Sequence, residues 1–235
     1  EVNNNQPKTD PKPKPETKNL EQPEATAKKA EAEGWVSDPS NPSNVKIEKR
    51  IREQLNKPTG ELTEADLEKV TELRLWRSQL TDVKELAKLT HLKTLDLSSN
   101  KLTDVKGLEN FTQLRSLILS GNQLTSVKGL EKLTQLTLLA LDRNKLTDVD
   151  GLEKLTKLGF LKLDGNKLTS VMGLEKLTQL YELHLSNNKL TDVKGVEKLT
   201  KLTRLYLHHN SDLTKAQIVE LKKTLPILRI FLSDH

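Results

Sequence analysis

The sequence predicts an α/β solenoid: a curved parallel sheet on one face, short helical or 3-10 turns on the other, and a helical cap at each end. Two observations carry this. The 235 residues include 46 leucines against only 3% aromatics, so the core is built from one residue type and points to repetition. From residue 70 onward the leucines recur every 22 residues. The pattern leucine-x-x-leucine-x-leucine-x-x-asparagine-x-leucine falls at Leu92, Leu95, Leu97, Asn100 and Leu102. It returns in register from Leu114, Leu136, Leu158, Leu180 and Leu202. A variant copy starts at Val70, with Ser78 in the asparagine place, and a truncated copy closes the array at Leu225, Leu228 and Ile230, shifted by one residue.

Each element follows from this spacing. A leucine-x-leucine segment alternates apolar and polar residues, as a half-buried strand does. Near-identical strands 22 residues apart stack as parallel neighbours about 4.8 Å apart, and their leucines fill one continuous core. Asn100, Asn122, Asn144, Asn166, Asn188 and Asn210 stand where the chain turns off the strand. An amide there satisfies buried backbone groups with both a donor and an acceptor. In the outer half of each repeat, Gly107, Gly129, Gly151, Gly173 and Gly195 permit tight turns. The lysine and glutamate columns beside them read as a solvated face of mutually neutralising charge.

Open solenoids need lids over their last leucines. Ile47, Ile51 and Leu55 give a front helix one apolar stripe, and Thr63 with Asp66 forms a weak capping box for a second, short helix. At the back, Ala216–Leu225 reads as a helix with Ile218, Val219 and Leu221 turned inward. The domain reading is therefore a tail over 1–44, a helical cap over 45–69, seven repeats over 70–210 and a closing cap over 211–235.

The tail contains one leucine, seven of the nine prolines and a net charge of −2, so the remainder carries +7. Such a segment cannot bury enough apolar surface to offset its chain entropy, and it reads as a disordered spacer. Within it, Glu24–Glu33 is compatible with a short helix, and Trp35 either docks on the neighbouring domain or stands exposed. Tails of this kind follow export signals and lipid anchors, and they also link cytosolic domains. The expectation is an extracytoplasmic or envelope location.

Composition excludes several classes. No apolar stretch reaches the ~20 residues that span a bilayer. The absence of cysteine rules out disulfide frameworks, zinc ribbons and thiol catalysis. Glycine-rich phosphate loops and metalloprotease helix motifs are also missing.

The 22-residue repeat resembles the leucine-rich repeat family, in particular the class found in bacterial internalin-like proteins and in phosphatase-regulating homologues. The resemblance covers residues 70–230 and implies a right-handed leucine-rich-repeat solenoid. Its internalin side implies an exported or surface-associated interaction module of a bacterium. Its phosphatase-regulator side implies an intracellular regulatory subunit. A passive structural or adhesive spacer in an envelope assembly is the other alternative, and none of the three is an enzyme.

Variation among the repeats concentrates at strand positions that face out of the concave surface. Between the two strand leucines stand Arg74, Asp96, Ile118, Ala140, Lys162, His184, Tyr206 and, by the leucine spacing, Arg229. Invariant scaffolding with individual concave residues is the pattern of a binding face. Soluble monomers seldom expose contiguous apolar surface without a use, and tyrosine-type anchors are common at interface hot spots. The expected ligand-binding residues are Ile118, Leu138, Phe160, Lys162, Asp164, Tyr181, His184, Arg204, Tyr206 and His208. Phe160, Tyr181, His184 and Tyr206 would serve as anchors, with Lys162, Arg204 and Asp164 setting orientation.

Sharper chemistries fit less well. Asp164, Ser186 and His208 share a column on consecutive strands, but serine stands in the middle, where a triad needs histidine. His184, His208 and His209 read as polar contacts rather than metal ligands. Eight bases and five acids on the variable positions leave a net of +3 spread over both signs, not the continuous stripe that nucleic acid requires. The partner expected is thus a protein or peptide bound by a monomer, with no cofactor and no specific nucleic acid.

Overall fold

The computed structural model describes residues 34–232. The proposed Glu24–Glu33 helix and most of the expected tail lie outside these residues. Eight parallel strands form one open sheet in sequence order: β1 (Glu72–Arg74), β2 (Thr94–Asp96), β3 (Ser116–Ile118), β4 (Leu138–Ala140), β5 (Phe160–Lys162), β6 (Glu182–His184), β7 (Arg204–Tyr206) and β8 (Arg229–Phe231). From β1 to β7 each residue pairs with the residue 22 further on. The leucine ladder behind the sheet is fully buried from Leu75 to Leu205 and forms a single apolar core.

The asparagine column ties each repeat to the one before it. In Asn144, Oδ1 accepts the Leu124 backbone N–H at 3.0 Å, while Nδ2 donates to the Leu141 carbonyl and to the Leu119 carbonyl of the preceding repeat, both at 3.0 Å. The same arrangement recurs at Asn122, Asn166, Asn188 and Asn210. A buried turn leaves these backbone groups without water, and only a side chain with donor and acceptor on one planar group pairs them all.

On the outer face, 3-10 turns begin at Lys84, Leu108, Leu130, Leu174 and Val196. Gly107, Gly129, Gly173 and Gly195 precede four of them with φ between +94° and +111°. The glutamate column there departs from the expected face of neutralising charge. Glu109, Glu131, Glu153, Glu175 and Glu197 each accept the backbone N–H of their own repeat's glycine at 2.6–2.8 Å. Lys128 pairs with Asp150 of the next turn at 3.2 Å. A carboxylate two residues past an orphan turn N–H meets a donor at once, whereas a lysine must be held in place against its own entropy. Accordingly the backbone N–H groups of Glu175 and Gly173 hold the Glu175 carboxyl below its ordinary pKa against the opposing effect of burial.

The front lid is α1 (Pro42–Leu55), capped by the Asn41 side chain, with Ile47 and Ile51 buried. Its helix begins three residues ahead of the boundary expected at residue 45, because Pro42 suits a first turn and Asn41 supplies the cap. Trp35, also ahead of that boundary, is docked: it is 8% exposed, its backbone N–H reaches the Leu62 carbonyl at 2.9 Å, and Nε1 donates to Glu48 at 3.2 Å. The Thr63 and Asp66 capping box opens α2 (Glu64–Glu68).

The back lid is α3 (Lys215–Thr224), which buries Ile218 and Leu221. Val219, expected to point inward, is exposed, since the step of one residue along a helix turns it away from the Ile218–Leu221 face. The last strand also differs from the reading of the leucine spacing. β8 pairs Ile230 with Leu205 and Phe231 with Tyr206, so Arg229 falls beside Arg204 instead of beside Tyr206. Leu228 donates its N–H to the Leu225 carbonyl as Leu202 does to Leu199, which makes Leu228 the counterpart of Leu202. The final repeat is therefore one residue shorter between its turn leucine and its strand.

Candidate binding surface

The register of the sheet assembles the variable residues into columns. Ile118, Ala140, Lys162, His184, Tyr206 and Phe231 follow one another on β3 to β8. Leu138, Phe160, Glu182, Arg204 and Arg229 form the column beside them on β4 to β8. Four aromatic rings close into a continuous row. Phe160 meets His184 at 5.3 Å with the rings tilted, His184 stacks on Tyr206 at 4.1 Å, and Tyr206 stacks on Phe231 at 4.4 Å, nearly parallel. Strand separations of about 4.8 Å suit this, since rings on adjacent strands of a parallel sheet stand at stacking distance.

Beneath the rings lies a polar layer. Glu182 is buried, contacts His184 Nε2 at 2.8 Å and accepts from Arg204 at 2.6 Å. Burial works to raise the Glu182 pKa, and the bonds with His184 and Arg204 outweigh it, so the carboxyl sits below its ordinary range. Asp164 Oδ1 accepts the Ser186 backbone N–H at 2.9 Å. Its Oδ2 is buried without a hydrogen bond and lies 3.7 Å from His184 Nδ1. His184 therefore stands between two carboxylates. Asp142, buried one repeat earlier, accepts from Ser120 and lies 3.7 Å from Lys162.

Of the ten residues singled out in the sequence, the structure joins Phe160, His184 and Tyr206 in the ring row. Lys162, Asp164 and Arg204 border it, and Ile118 and Leu138 extend it as half-buried apolar surface. Tyr181 is not among the rings. It is exposed on the segment before β6, and its ring covers Gly159, whose missing side chain makes the space. His208 follows β7 and is half-buried. Two participants escaped the sequence reading: Phe231, hidden by the shortened last repeat, and Glu182, whose burial no residue pattern announces.

The Asp164, Ser186 and His208 column does not assemble into a relay: the carboxylate is turned to the Ser186 backbone and to His184. Among the described residues no group of three or more histidine, aspartate or glutamate side chains is close enough to hold a metal ion. No helix among them is long and apolar enough to cross a membrane. At the opposite end of the face, Trp76 is exposed with the Arg77 guanidinium 5.3 Å from its ring centre.

Leucine rich repeat family models match residues 68–124, and a two-copy form matches 112–154 and 178–222. The chain belongs to the leucine-rich repeat proteins. Internalin C2 from Listeria monocytogenes superposes on this leucine-rich repeat domain with a TM-score of 0.65 at 26% identity, over 82% of this chain and 97% of that one. Internalin F from the same organism superposes with a TM-score of 0.61 at 21% identity, over 83% of this chain and 73% of its own. No curated protein sequence matches the chain.

Proposed function

We propose that the concave sheet binds a protein or peptide, in an exported or surface-associated bacterial leucine-rich repeat protein. The observation that carries this is the ring row from Phe160 to Phe231, a contiguous aromatic surface on a sheet whose core is built mostly of leucine and valine. That core is aliphatic apart from Trp35 and Phe111, neither of which belongs to the row, so packing gives no reason for four rings to gather on the open face. Aromatic anchors bring large contact area at low entropic cost. Phe160, His184, Tyr206 and Phe231 are the anchors in this reading, and Ile118 and Leu138 continue the apolar strip. Lys162, Asp164 and Arg204 orient the ligand, with Tyr181 and His208 at the margins. The likeness to internalin C2 supports both the binding role and the bacterial surface setting.

The test is capture of partners from source-cell and host-cell extracts by the wild type and by a Phe160→Glu/Tyr206→Glu double variant of unchanged thermal stability. Partners held by the wild type and lost by the variant are the expected result. Equal retention by both removes the concave anchors from the function and leaves the spacer role.

A further inference from the structure

We infer that the ligand of this face is an acidic protein segment, one that presents carboxylates around an apolar or aromatic side chain; this rests on the concave binding reading above. Formal charge on the variable strand positions is mixed, with eight bases and five acids, but the two signs stand at different depths. Seven of the bases are exposed, Arg74, Arg115, Arg204 and Arg229 among them, and the side chain of the eighth, Lys162, is 38% exposed. Four of the five acids are set deeper, and the fifth, Glu72, has a side chain 44% exposed that is paired with Arg74. Asp142 and Glu182 are buried, and Asp96 and Asp164 are partly buried.

The acids also have partners within the protein. Glu72 is paired with Arg74 at 2.6 Å, Asp96 accepts from the Ser98 hydroxyl and N–H, and Asp142 accepts from Ser120. Asp164 accepts from the Ser186 backbone, and Glu182 is held between His184 and Arg204. A ligand laid on the sheet therefore meets mainly guanidinium and ammonium groups, while most of the negative charge lies deeper and has partners of its own, the Asp164 Oδ2 atom excepted. At contact distance the nearer charge dominates. Arg204 bonds Glu182 through one guanidinium nitrogen, and its side chain is 54% exposed. A guanidinium has five N–H donors, so most of its fork stays directed at a ligand carboxylate.

The rings favour a protein over a nucleic acid. Single-stranded bases bind by stacking on free aromatic faces. Here Tyr206 is sandwiched between His184 and Phe231, and His184 between Phe160 and Tyr206. The row offers ring edges, which accept aliphatic or edge-to-face aromatic side chains. The bases beside it, Lys162 on β5 and the neighbours Arg204 and Arg229 on β7 and β8, are separated by Glu182 and His184 on β6, which suits a few carboxylates better than a continuous phosphate chain.

The experiment is selection of random dodecapeptides displayed on phage against the full chain, with recovered peptides measured by fluorescence anisotropy and a labelled oligothymidylate run beside them. Peptides rich in aspartate and glutamate around an aromatic or large aliphatic residue are expected. They should weaken by roughly tenfold or more on Arg204→Glu/Arg229→Glu and on raising salt from about 0.05 to 0.3 M. Since Arg204→Glu also faces Glu182, Arg115→Glu/Arg229→Glu is carried in parallel as a variant whose fold that repulsion cannot disturb. Recovery of basic or uncharged peptides that still require Phe160 and Tyr206 overturns the acidic ligand and leaves the concave surface standing. Peptides indifferent to Phe160→Glu/Tyr206→Glu as well overturn both. Oligothymidylate bound as tightly as the best peptide overturns the choice of a protein.

Discussion

The Phe231 ring lies against Tyr206 with centroids 4.4 Å apart and planes 9° from parallel. β8 is the last strand of the sheet, so this contact is part of what holds the closing strand in register as well as the end of the ring row. Aromatic pairs contribute about 0.5–1.5 kcal/mol beyond their buried area. Phe231→Ala is therefore expected to lower unfolding stability by about 1–2 kcal/mol, and Phe231→Tyr to leave it nearly unchanged, both read from urea midpoints. An unaltered midpoint for Phe231→Ala would show that the stack contributes no cohesion.

The asparagine column gives a larger effect. Removing the Asn144 side chain leaves the Leu124 N–H without its partner, and leaves the Leu119 and Leu141 carbonyls with one amide donor each, from Asn122 and Asn166. An unsatisfied buried donor costs about 1–3 kcal/mol and each lost bond about 0.5–1.5 kcal/mol, so Asn144→Ala is expected to lose about 2–4 kcal/mol. Asn144→Asp keeps the acceptor but turns a carboxylate toward two carbonyl oxygens. A protonated carboxyl can donate to one of them, so this variant should recover stability as the pH falls from neutral toward about 5. Urea titrations at the two pH values decide it, and a recovery no larger than that of Asn144→Ala would count against the account.

These two sites mark what the sequence could and could not disclose. The asparagine and leucine positions were legible because the same backbone problem recurs every 22 residues and admits one side chain each time. His184 and Tyr206 were legible as neighbours for the same reason. Phe231 was not: Leu225, Leu228 and Ile230 imitate the strand pattern, and only the hydrogen bond from Leu228 to Leu225 reveals the missing residue before the strand. The glutamates of the outer turns looked like surface charge because residue type does not say whether a carboxylate reaches its own glycine N–H. Glu182 and Asp164 carried the same ambiguity, since depth separates the two signs on the concave face and depth is a property of packing.

Gly34 meets the front lid too closely for any other residue. A Cβ there would stand 2.2 Å from the Leu62 carbonyl oxygen, the group that accepts the Trp35 N–H at 2.9 Å. Gly34→Ala is expected to lift the Trp35 segment from α1. In a Trp76→Phe background, Trp35 is the single tryptophan, so its emission should shift to the red and become more accessible to iodide. Val36→Ala is the comparison, because that side chain belongs to the same segment and is exposed. An unshifted spectrum for Gly34→Ala would mean that the docking of Trp35 does not depend on that close approach.

Asp66 links the front lid to pH. Its Oδ2 accepts from Lys57 Nζ at 2.6 Å and from the Thr63 N–H and hydroxyl at 3.1 and 3.0 Å. The Lys57 bond, followed by the Thr63 backbone bond, holds the carboxyl far below its ordinary value of 3.8. A carboxyl whose pKa is depressed by folding stabilises the fold fully above its unfolded value, and that contribution fades as the pH falls through the folded value. The stability difference between the wild type and Asp66→Asn is thus expected to stay level from neutral pH to the ordinary carboxylate range. It should shrink only below 3.8, in paired thermal melts carried down to about pH 2.5. Lys57→Met removes the largest cause, so in that background the same difference should be smaller and should fade nearer to 3.8. A difference that has already collapsed near pH 5 would assign the stabilisation to some other group and leave the Lys57 bond to Asp66 without a role in holding the lid.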